Sequence, residues 1–470
     1  MTDSTDISYL DATELASRIR SGDLSSVEIV QHHLERIERI NPQINAVVTL
    51  AHDAVDHARA ADAAITRSEQ VGPLHGVPIS VKDSLDTAGI RTARGSRLFA
   101  SHIPSRDAIA VARLKAAGAI VLGKTNLPEF SYARESDNLL SGRTLNPWNR
   151  ERTPGGSTGG EAAAIAAGLS PLGIGSDVAL SIRVPAHFCG IVGLKPTHGR
   201  VPFTGHWPNT LRRYWHVGPM ARSVPDVALA LGLMAGPDGV DGYLLPVPPP
   251  TSMEHDASPT SIRVGWLAAR GFGPVDAETI TTVEAAAAAL SAAGYQVAPA
   301  HLPVLGDIDG NVLSAKLFGF EIVPYLRQAV RGRENELHET MRRVLAAPIT
   351  PAAEYVDAQL EVERLRDALA EYFAQHHALL CPVAPMAAHA HGLDDLLIDG
   401  RIVPNRHIVR CTVPFNLTGA PALSVPFGRS RDGLPIGVQI VGRHFDEGTV
   451  LRLGLMLERS RPEKHYRPIL

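Results

Sequence analysis

This sequence of 470 residues lacks several features, and their absence excludes several classes of protein. It contains three cysteines, Cys189, Cys381 and Cys411, which lie far apart and form no CxxC pair. So sparse and odd a set argues against a disulfide framework and a zinc site, and it favours buried, reduced thiols. Neither sign of charge is in excess, since 45 Lys and Arg residues stand against 49 Asp and Glu residues. The chain therefore has no electrostatic footprint for nucleic acid or for an acidic membrane.

Long apolar runs are also missing from the sequence. No stretch approaches the length needed to span a bilayer, and residues 1–12 lack the basic-then-apolar pattern of a signal peptide. We therefore expect a cytoplasmic protein. Apolar residues make up 44% of the chain, which is ample for the core of a large enzyme.

The order of predicted elements is that of an α/β protein. Helices are predicted within residues 13–40, 53–65, 108–117, 161–168 and 317–376, and strands at 77–81, 119–122, 172–174, 422–425 and 437–441. Strand, helix and strand at this spacing indicate βαβ units and a largely parallel sheet. Lys82 directly follows the first of these strands.

The densest group of motif residues lies in the stretch 153–200. It begins with the Gly/Ser loop Gly155-Gly156-Ser157-Thr158-Gly159-Gly160, ahead of a predicted helix. Such loops often bind phosphate, but a phosphate loop needs Lys and then Ser or Thr after its last glycine, where this chain has Glu161. A nucleotide site is therefore disfavoured. A tight turn with a helix cap is the plain alternative.

Many segments of the chain resemble those of the amidase-signature family, in order and in spacing. They are Val81-Lys82-Asp83, Gly123-Lys124-Thr125-Asn126, Glu129-Phe130, Asn146-Pro147-Trp148, the loop around Ser157, Ser176-Asp177 through Pro185, Phe188-Cys189-Gly190, Gly193 through Thr197, Gly218 through Ser223, Phe415 through Pro421 and Leu434 through Gln439. Lys82, Ser157 and Ser181 are separated by 75 and 24 residues, which is similar to the family spacing. The resemblance covers nearly the whole chain.

The resemblance implies a fold and a domain organisation. We expect a mixed, largely parallel central β-sheet covered by helices on both faces, in a single domain over residues 1–470. Residues 1–65 are expected to form an N-terminal helical segment packed on this domain. Residues 236–380 are expected to be a variable region within it that shapes the substrate pocket.

The resemblance also implies the catalytic residues. Ser181 would be the nucleophile, Ser157 a proton relay that follows a cis peptide bond with Gly156, and Lys82 the base. A serine hydroxyl is a poor nucleophile until a neighbour takes its proton. A lysine can take it only when neutral, and burial promotes this state by lowering the pKa from its free value of about 10.4. No metal or organic cofactor is implied.

By the same resemblance, an oxyanion hole is expected from the backbone N–H groups of Val178, Ala179, Leu180 and Ser181. The family commonly has two glycines directly before the nucleophile, where this chain has Ala179 and Leu180. Backbone donors survive this change, but the Leu180 side chain needs space. We expect it to narrow or reshape the acyl pocket.

Two further groups of residues have two possible roles each. Asp177 and Arg183 flank the nucleophile and are better explained as a structural pair than as catalytic residues. Trp207, Tyr214 and Trp215, with His216, either pack in the core or form a flat aromatic wall of the substrate pocket.

The expected activity is hydrolysis of a carboxylic amide through an acyl-serine intermediate, with aryl amides, esters and carbamates as further substrates. A first alternative is the glutaminase subunit of a tRNA-dependent amidotransferase. A second is a non-catalytic binding relative, which would have no need for Lys82, Ser157 and Ser181 together. The expected partner is a small-molecule amide substrate, with no nucleic acid and no membrane, and a homo-oligomer is left open.

Overall fold

A computed structural model describes residues 6–248, 258–463 and 467–470. Within these residues the chain forms 14 α-helices and 13 β-strands. The helices are α1 (Ala12–Ser21), α2 (Ser26–Ile44), α3 (Ala54–Thr66), α4 (Ile109–Ala116), α5 (Gly159–Ala166), α6 (Arg183–Cys189), α7 (Val224–Met234), α8 (Ala277–Ala292), α9 (Val304–Asp307), α10 (Gly310–Ala329), α11 (Glu339–Ala346), α12 (Ala352–Gln375), α13 (Val413–Leu417) and α14 (Glu447–Ser460). The strands are β1 (Val47–Leu50), β2 (Pro78–Lys82), β3 (Ile120–Thr125), β4 (Leu172–Asp177), β5 (Val192–Lys195), β6 (His216–Ala221), β7 (Arg263–Trp266), β8 (Gln296–Pro299), β9 (Ala378–Pro382), β10 (Asp395–Ile398), β11 (Arg401–Pro404), β12 (Ala422–Arg429) and β13 (Pro435–Gly442).

Eleven of the described strands form one central sheet, in the order β1-β3-β2-β4-β6-β5-β12-β13-β9-β7-β8, and β10 and β11 form a separate hairpin. Four neighbouring pairs within the sheet are parallel and six are antiparallel. The parallel strands fall into two groups, β3-β2-β4 and β9-β7-β8, and antiparallel strands join them. The expected α/β fold with a mixed central sheet is confirmed.

Helices cover both faces of this sheet, as expected. Along β3, Val121 belongs to one large apolar core, whereas Ile120 and Leu122 belong to a second. The alternation follows from the two-residue period of a strand, which sends successive side chains to opposite faces. α5 supplies the second core, and α4, α7 and α8 supply the first.

The N-terminal segment contains α1, α2 and α3, where helices were predicted, and one strand that was not predicted. α1 ends at Gly22, whose φ is +79°, and α2 begins after Ser25, whose hydroxyl accepts a hydrogen bond from the Glu28 N–H at 3.0 Å. The segment is not purely helical, however, because β1 pairs with β3 at the edge of the sheet. This strand depends on its pairing with β3, more than 70 residues further along the chain, which no local signal reveals.

The region 236–380 is continuous with the main sheet, because β7 and β8 extend it beside β9. Its helices α10 and α12 pack against each other. All three cysteines are buried free thiols, as predicted. Among the helices that the structure describes, none combines the length and the apolar character needed to cross a membrane.

Candidate active site

Three parallel strands bring their carboxyl ends together at this site. Lys82 is the last residue of β2, which lies between β3 and β4 and runs parallel to both. Ser176 and Asp177 end β4, and Thr125 ends β3. In open α/β sheets, ligands bind outside the carboxyl ends of the strands, in the crevices between the connecting loops. Lys82 and Ser176, 94 positions apart in the sequence, become neighbours in this way.

The loop before α5 carries Ser157. Gly155 has a φ of +82°, which glycine adopts without strain, and the Gly156–Ser157 peptide bond is cis, as predicted. A Cβ atom on Gly156 would lie 2.8 Å from backbone atoms of Arg134 and Glu135, so only glycine fits against that neighbouring segment. The backbone N–H of Thr158 donates to the Ser181 carbonyl at 3.2 Å, which ties this loop to the one that carries Ser181.

Four oxygen atoms surround the Lys82 side-chain nitrogen. Nζ lies 2.6 Å from Ser157 Oγ and 2.9 Å from Thr158 Oγ1. Ser176 supplies the other two, its Oγ at 3.0 Å and its carbonyl oxygen at 3.3 Å. Lys82 and Ser157 are both fully buried. The shortest contact of Lys82 is therefore with Ser157, in surroundings closed to bulk water.

Burial lowers the pKa of Lys82 to about 7, because the ammonium form loses its hydration. The negative charges of Asp177 and Glu161 act in the opposite direction, with a smaller effect. At pH 7 about half of the molecules therefore hold a neutral amine at this position. This shift has the direction that the sequence analysis expected for a lysine base.

A buried ion pair fixes the backbone between β4 and α6. Arg183 Nη2 lies 3.0 Å from Asp177 Oδ1, and neither side chain is exposed. Asp177 also accepts hydrogen bonds from the Ile182 N–H at 3.0 Å and from Asn416 Nδ2 at 2.8 Å. Burial alone would raise the pKa of Asp177, but Arg183 and these donors lower it to about 2. Arg183 and Asp177 thus form the structural pair that the sequence indicated.

Residues 178–181 form the turn between β4 and α6. Val178, Ala179 and Leu180 are 5–6% exposed, and Ser181 is 2% exposed. Their four backbone N–H groups donate no hydrogen bond to any residue that the structure describes. These donors are therefore available to a ligand. Ile182, the next residue, already uses its N–H on Asp177.

Trp207 belongs to an aromatic cluster that it forms with Phe99, Phe130 and Tyr325. Its ring centroid lies 4.7 Å from that of Phe130, 5.2 Å from that of Phe99 and 6.3 Å from that of Tyr325. The guanidinium of Arg94 lies over the Phe99 and Trp207 rings, at 4.5 and 5.3 Å. Trp207, Phe99 and Tyr325 are partly exposed, so this cluster offers an aromatic surface.

Tyr214 and Trp215, predicted together with Trp207, lie in different surroundings. Tyr214 is fully buried, and its hydroxyl donates to Gln359 Oε1 at 3.1 Å. Trp215 is 3% exposed and packs on His206, with ring centroids 4.8 Å apart. The three rings therefore do not form one flat wall, and only Trp207 belongs to the partly exposed cluster.

Three residues that complete the surroundings of Lys82 were not predicted from the sequence. Thr158 and Ser176 lie inside motifs that resemble those of the family, but a sequence motif does not reveal which of its residues contact Lys82. The third is His206, whose Nε2 lies 2.8 Å from Ser176 Oγ. No local pattern signals it, because the contact joins the loop between β5 and β6 to the end of β4.

The comparison with known proteins agrees with this geometry. Residues 28–451 match the Amidase family, so the chain belongs to the amidase family, whose members hydrolyse amides. The expected amidase-signature resemblance and the class of reaction are thereby confirmed. The chain is also similar to particular members. It is 36% identical over 493 residues to a glutamyl-tRNA(Gln) amidotransferase subunit of Synechococcus sp. (strain CC9902), and the match covers 96% of each chain.

Two solved structures are similar over almost the full length. One is 6-aminohexanoate cyclic dimer hydrolase complexed with substrate, with a TM-score of 0.87, 30% identity and 99% of each chain covered. The other is a glutamyl-tRNA(Gln) amidotransferase subunit from Thermotoga maritima, with a TM-score of 0.79 and 28% identity, where the match covers 97% of this chain and 96% of that one.

Proposed function

We propose that this amidase hydrolyses a small carboxylic amide through an acyl-Ser181 intermediate, with Lys82 as the base and Ser157 as the proton relay. The observation that carries the proposal is the 2.6 Å contact between Lys82 Nζ and Ser157 Oγ, where burial lowers the lysine pKa to about 7. A lysine that is neutral near pH 7 accepts a proton without a histidine partner. The hydrogen bond from the Thr158 N–H to the Ser181 carbonyl keeps the nucleophile's loop beside the relay.

As the acyl-enzyme forms, a proton passes from Ser181 through Ser157 to Lys82 and then returns through Ser157 to the leaving nitrogen. Ser181 Oγ bonds to the substrate carbonyl carbon and gives its proton to Ser157 Oγ, while the Ser157 proton passes to Lys82. The carbonyl electron pair moves to its oxygen and returns as the C–N bond breaks. The leaving nitrogen takes its proton back through Ser157, so Lys82 is neutral again. Water then attacks the acyl ester by the same path, which releases the acid and restores Ser181.

We further propose that the N–H groups of residues 178–181 hold the developing oxyanion. They have no acceptor within the described residues, and the Asp177–Arg183 pair fixes the turn that carries them. Loss of one such donor costs about 2.7–4 kcal/mol of transition-state stabilisation. Leu180 stands next to the nucleophile where relatives commonly have glycine, and we propose that its side chain limits the size of the acyl group.

An apolar or aryl group on the substrate is supported by the aromatic cluster around Trp207. The backbone N–H of Trp207 donates to the Ser84 carbonyl at 3.0 Å, two residues beyond Lys82. The indole therefore lies at the same end of the sheet as the catalytic lysine. Tyr325 reaches it from α10, which supports the proposal that the region 236–380 shapes the substrate pocket.

A role as the glutaminase subunit of a tRNA-dependent amidotransferase is the second candidate. The 36% identity with the amidotransferase subunit of Synechococcus favours it. The higher TM-score with the 6-aminohexanoate cyclic dimer hydrolase, 0.87 against 0.79, favours an independent hydrolase. We propose the independent hydrolase. Its cytoplasmic location stays a prediction, and a homo-oligomer stays an open alternative.

Activity of the purified chain on a panel of amides separates the two candidates. The panel holds aliphatic amides, anilides, carbamates, esters and glutamine, and the Ser181→Ala variant gives the background rate. We expect turnover of anilides or other simple amides without any partner protein, and no release of ammonia from glutamine. Hydrolysis of glutamine alone, or activity only after partner proteins and tRNA are added, would favour the amidotransferase role instead.

A further inference from the structure

His206 extends the hydrogen-bond network of Lys82 by one residue. Its Nε2 atom lies 2.8 Å from Ser176 Oγ, and this oxygen lies 3.0 Å from Lys82 Nζ. His206 is 5% exposed and packs against Trp215. Among the described residues, the Ser176 hydroxyl has only Lys82 and His206 as hydrogen-bond partners. Any effect of His206 on Lys82 through hydrogen bonds therefore passes through this one hydroxyl.

The hydroxyl protons around Lys82 can be assigned from what each group is able to bond. A neutral lysine has two N–H donors and one lone pair, and the lone pair needs a donor. Thr158 Oγ1 gives its only hydrogen to the Ser176 carbonyl at 3.1 Å, so it can only accept from Lys82. The Ser176 carbonyl also only accepts. Two hydroxyls remain that could donate to the lone pair, those of Ser157 and Ser176.

Only one of these two arrangements is productive. The Ser157 proton must point at the lone pair for Lys82 to receive it, and a Ser176 proton in the same place blocks that transfer. Burial and the nearby Lys82 lower the pKa of His206 well below its usual value, so the ring is neutral. The neutral ring carries one proton, and we place it on Nδ1, which has no hydrogen bond within the described residues. Nε2 is then the acceptor for the Ser176 proton.

We propose that His206 is a positioning residue, which accepts the Ser176 hydroxyl proton and so leaves the Lys82 lone pair open to Ser157. The inference rests on the proposed roles of Lys82 and Ser157. His206 does not touch the reacting atoms, and no covalent bond forms or breaks at its ring. Its contribution is to keep a competing donor away from the base.

The charged groups around this network do not duplicate the role of His206. Asp177, at the end of β4, and Glu161, on α5, raise the pKa of Lys82, whereas Arg94 and Lys82 lower that of His206. Asp177 is committed to Arg183, and Glu161 accepts a hydrogen bond from Thr125 Oγ1 at 2.7 Å. Among the described residues, Asp177, Glu161 and Arg94 make no hydrogen bond to the Ser176 hydroxyl, whose partners are Lys82 and His206.

The rate at which a fluorophosphonate modifies Ser181 tests this inference, because labelling requires an activated serine but not the natural substrate. Rates are compared at about pH 9, above the titration of Lys82, so that a shifted pKa does not mimic the effect. Circular dichroism and thermal unfolding confirm that each variant is folded.

His206→Phe keeps a ring in place but removes the acceptor, and we expect labelling about tenfold slower, the effect of one lost hydrogen bond. His206→Gln, whose amide oxygen can reach the Nε2 position, should recover most of the rate. His33→Phe replaces a fully buried histidine on α2, far from this network in the sequence, and should label at the wild-type rate.

The double variant His206→Phe with Ser176→Ala gives the sharpest result. Ser176→Ala alone should slow labelling about threefold, because Lys82 loses an acceptor. In the double variant no competing hydroxyl remains, so it should label faster than His206→Phe alone. If the Ser176 proton does not compete for Lys82, the double variant gains nothing over His206→Phe, because Ser176→Ala then only removes an acceptor of Lys82.

Two results would overturn the inference: a double variant no faster than His206→Phe, or His206→Phe at the wild-type rate. Absence of a Ser181 adduct in the wild-type protein would contradict the proposed function instead, which keeps the two failures distinguishable.

Discussion

The rate of Ser181 labelling at acid pH gives the most quantitative check on the role of Lys82 as the base. Burial lowers its pKa from 10.5 to about 7. With the ordinary pKa, only about one molecule in three thousand would hold neutral lysine at pH 7, so the shift raises the active fraction about a thousandfold. The neutral form is the active one, so activity is lost as pH falls through the lowered pKa. The rate of Ser181 labelling should therefore rise about tenfold per pH unit below pH ~6, reach half its maximum near pH ~7 and level off above pH ~8.

Other groups that titrate in this range are separated by matched variants. Burial raises the pKa of Glu161 to about 7, and its charge raises the pKa of Lys82. Glu161→Gln should therefore keep the rise of the labelling rate with pH but move it to lower pH. Lys82→Met should abolish most of the labelling rate, and the remaining rate should no longer rise with pH in this range. A flat wild-type profile between about pH 5 and pH 9, or an unchanged rise with pH in Lys82→Met, would refute the role of Lys82 as the base.

Three further predictions concern the residues around the nucleophile. Asp177→Asn leaves the Arg183 charge buried without its partner. Urea denaturation should therefore show a loss of about 3–5 kcal/mol in the free energy of unfolding. A loss below about 1 kcal/mol would show that the pair does not stabilise the turn. Leu180→Gly should raise kcat/KM for bulky acyl anilides over small ones by about 1–3 kcal/mol, or tens to hundreds of fold; equal changes across the acyl series would mean that Leu180 only orders the loop. Trp207→Ala should raise KM for aryl amides more than for aliphatic ones, with Tyr214→Phe as the buried control; an equal rise for both classes would place the aryl group elsewhere.

The parts of the fold that depend on local chemistry were predictable from the sequence. Gly22 ends α1 because glycine readily adopts the left-handed conformation, and Ser25 begins α2 because its side chain accepts a backbone hydrogen bond of the first turn. Both effects act within one helical turn. The strand that ends at Lys82 was predicted from a short apolar run before a charged residue. Local signals do not reveal how strands pair, so the six antiparallel pairs in the sheet emerged only in three dimensions.

In the candidate site, too, some residues could be predicted from the sequence and others could not. Lys82, Ser157 and Ser181 were predicted through the resemblance of whole motifs. His206 was not, because its contact with Ser176 depends on how a long loop returns to the end of β4. For the aromatic residues the sequence left core packing and a flat pocket wall both open. In the structure Trp207 contacts Phe130, whereas Trp215 packs on His206, so these sequence neighbours have different surroundings.

The measurement that tests the central claim most directly is peptide mass mapping after treatment with a fluorophosphonate. We predict a single adduct on the peptide that contains Ser181 in the wild-type protein, no adduct in Ser181→Ala, and strongly slowed labelling in Ser157→Ala and Lys82→Met. Each variant should retain its fold, which thermal unfolding checks. An adduct on a different serine, or full amide turnover by Ser181→Ala, would contradict the assignment of Ser181 as the nucleophile.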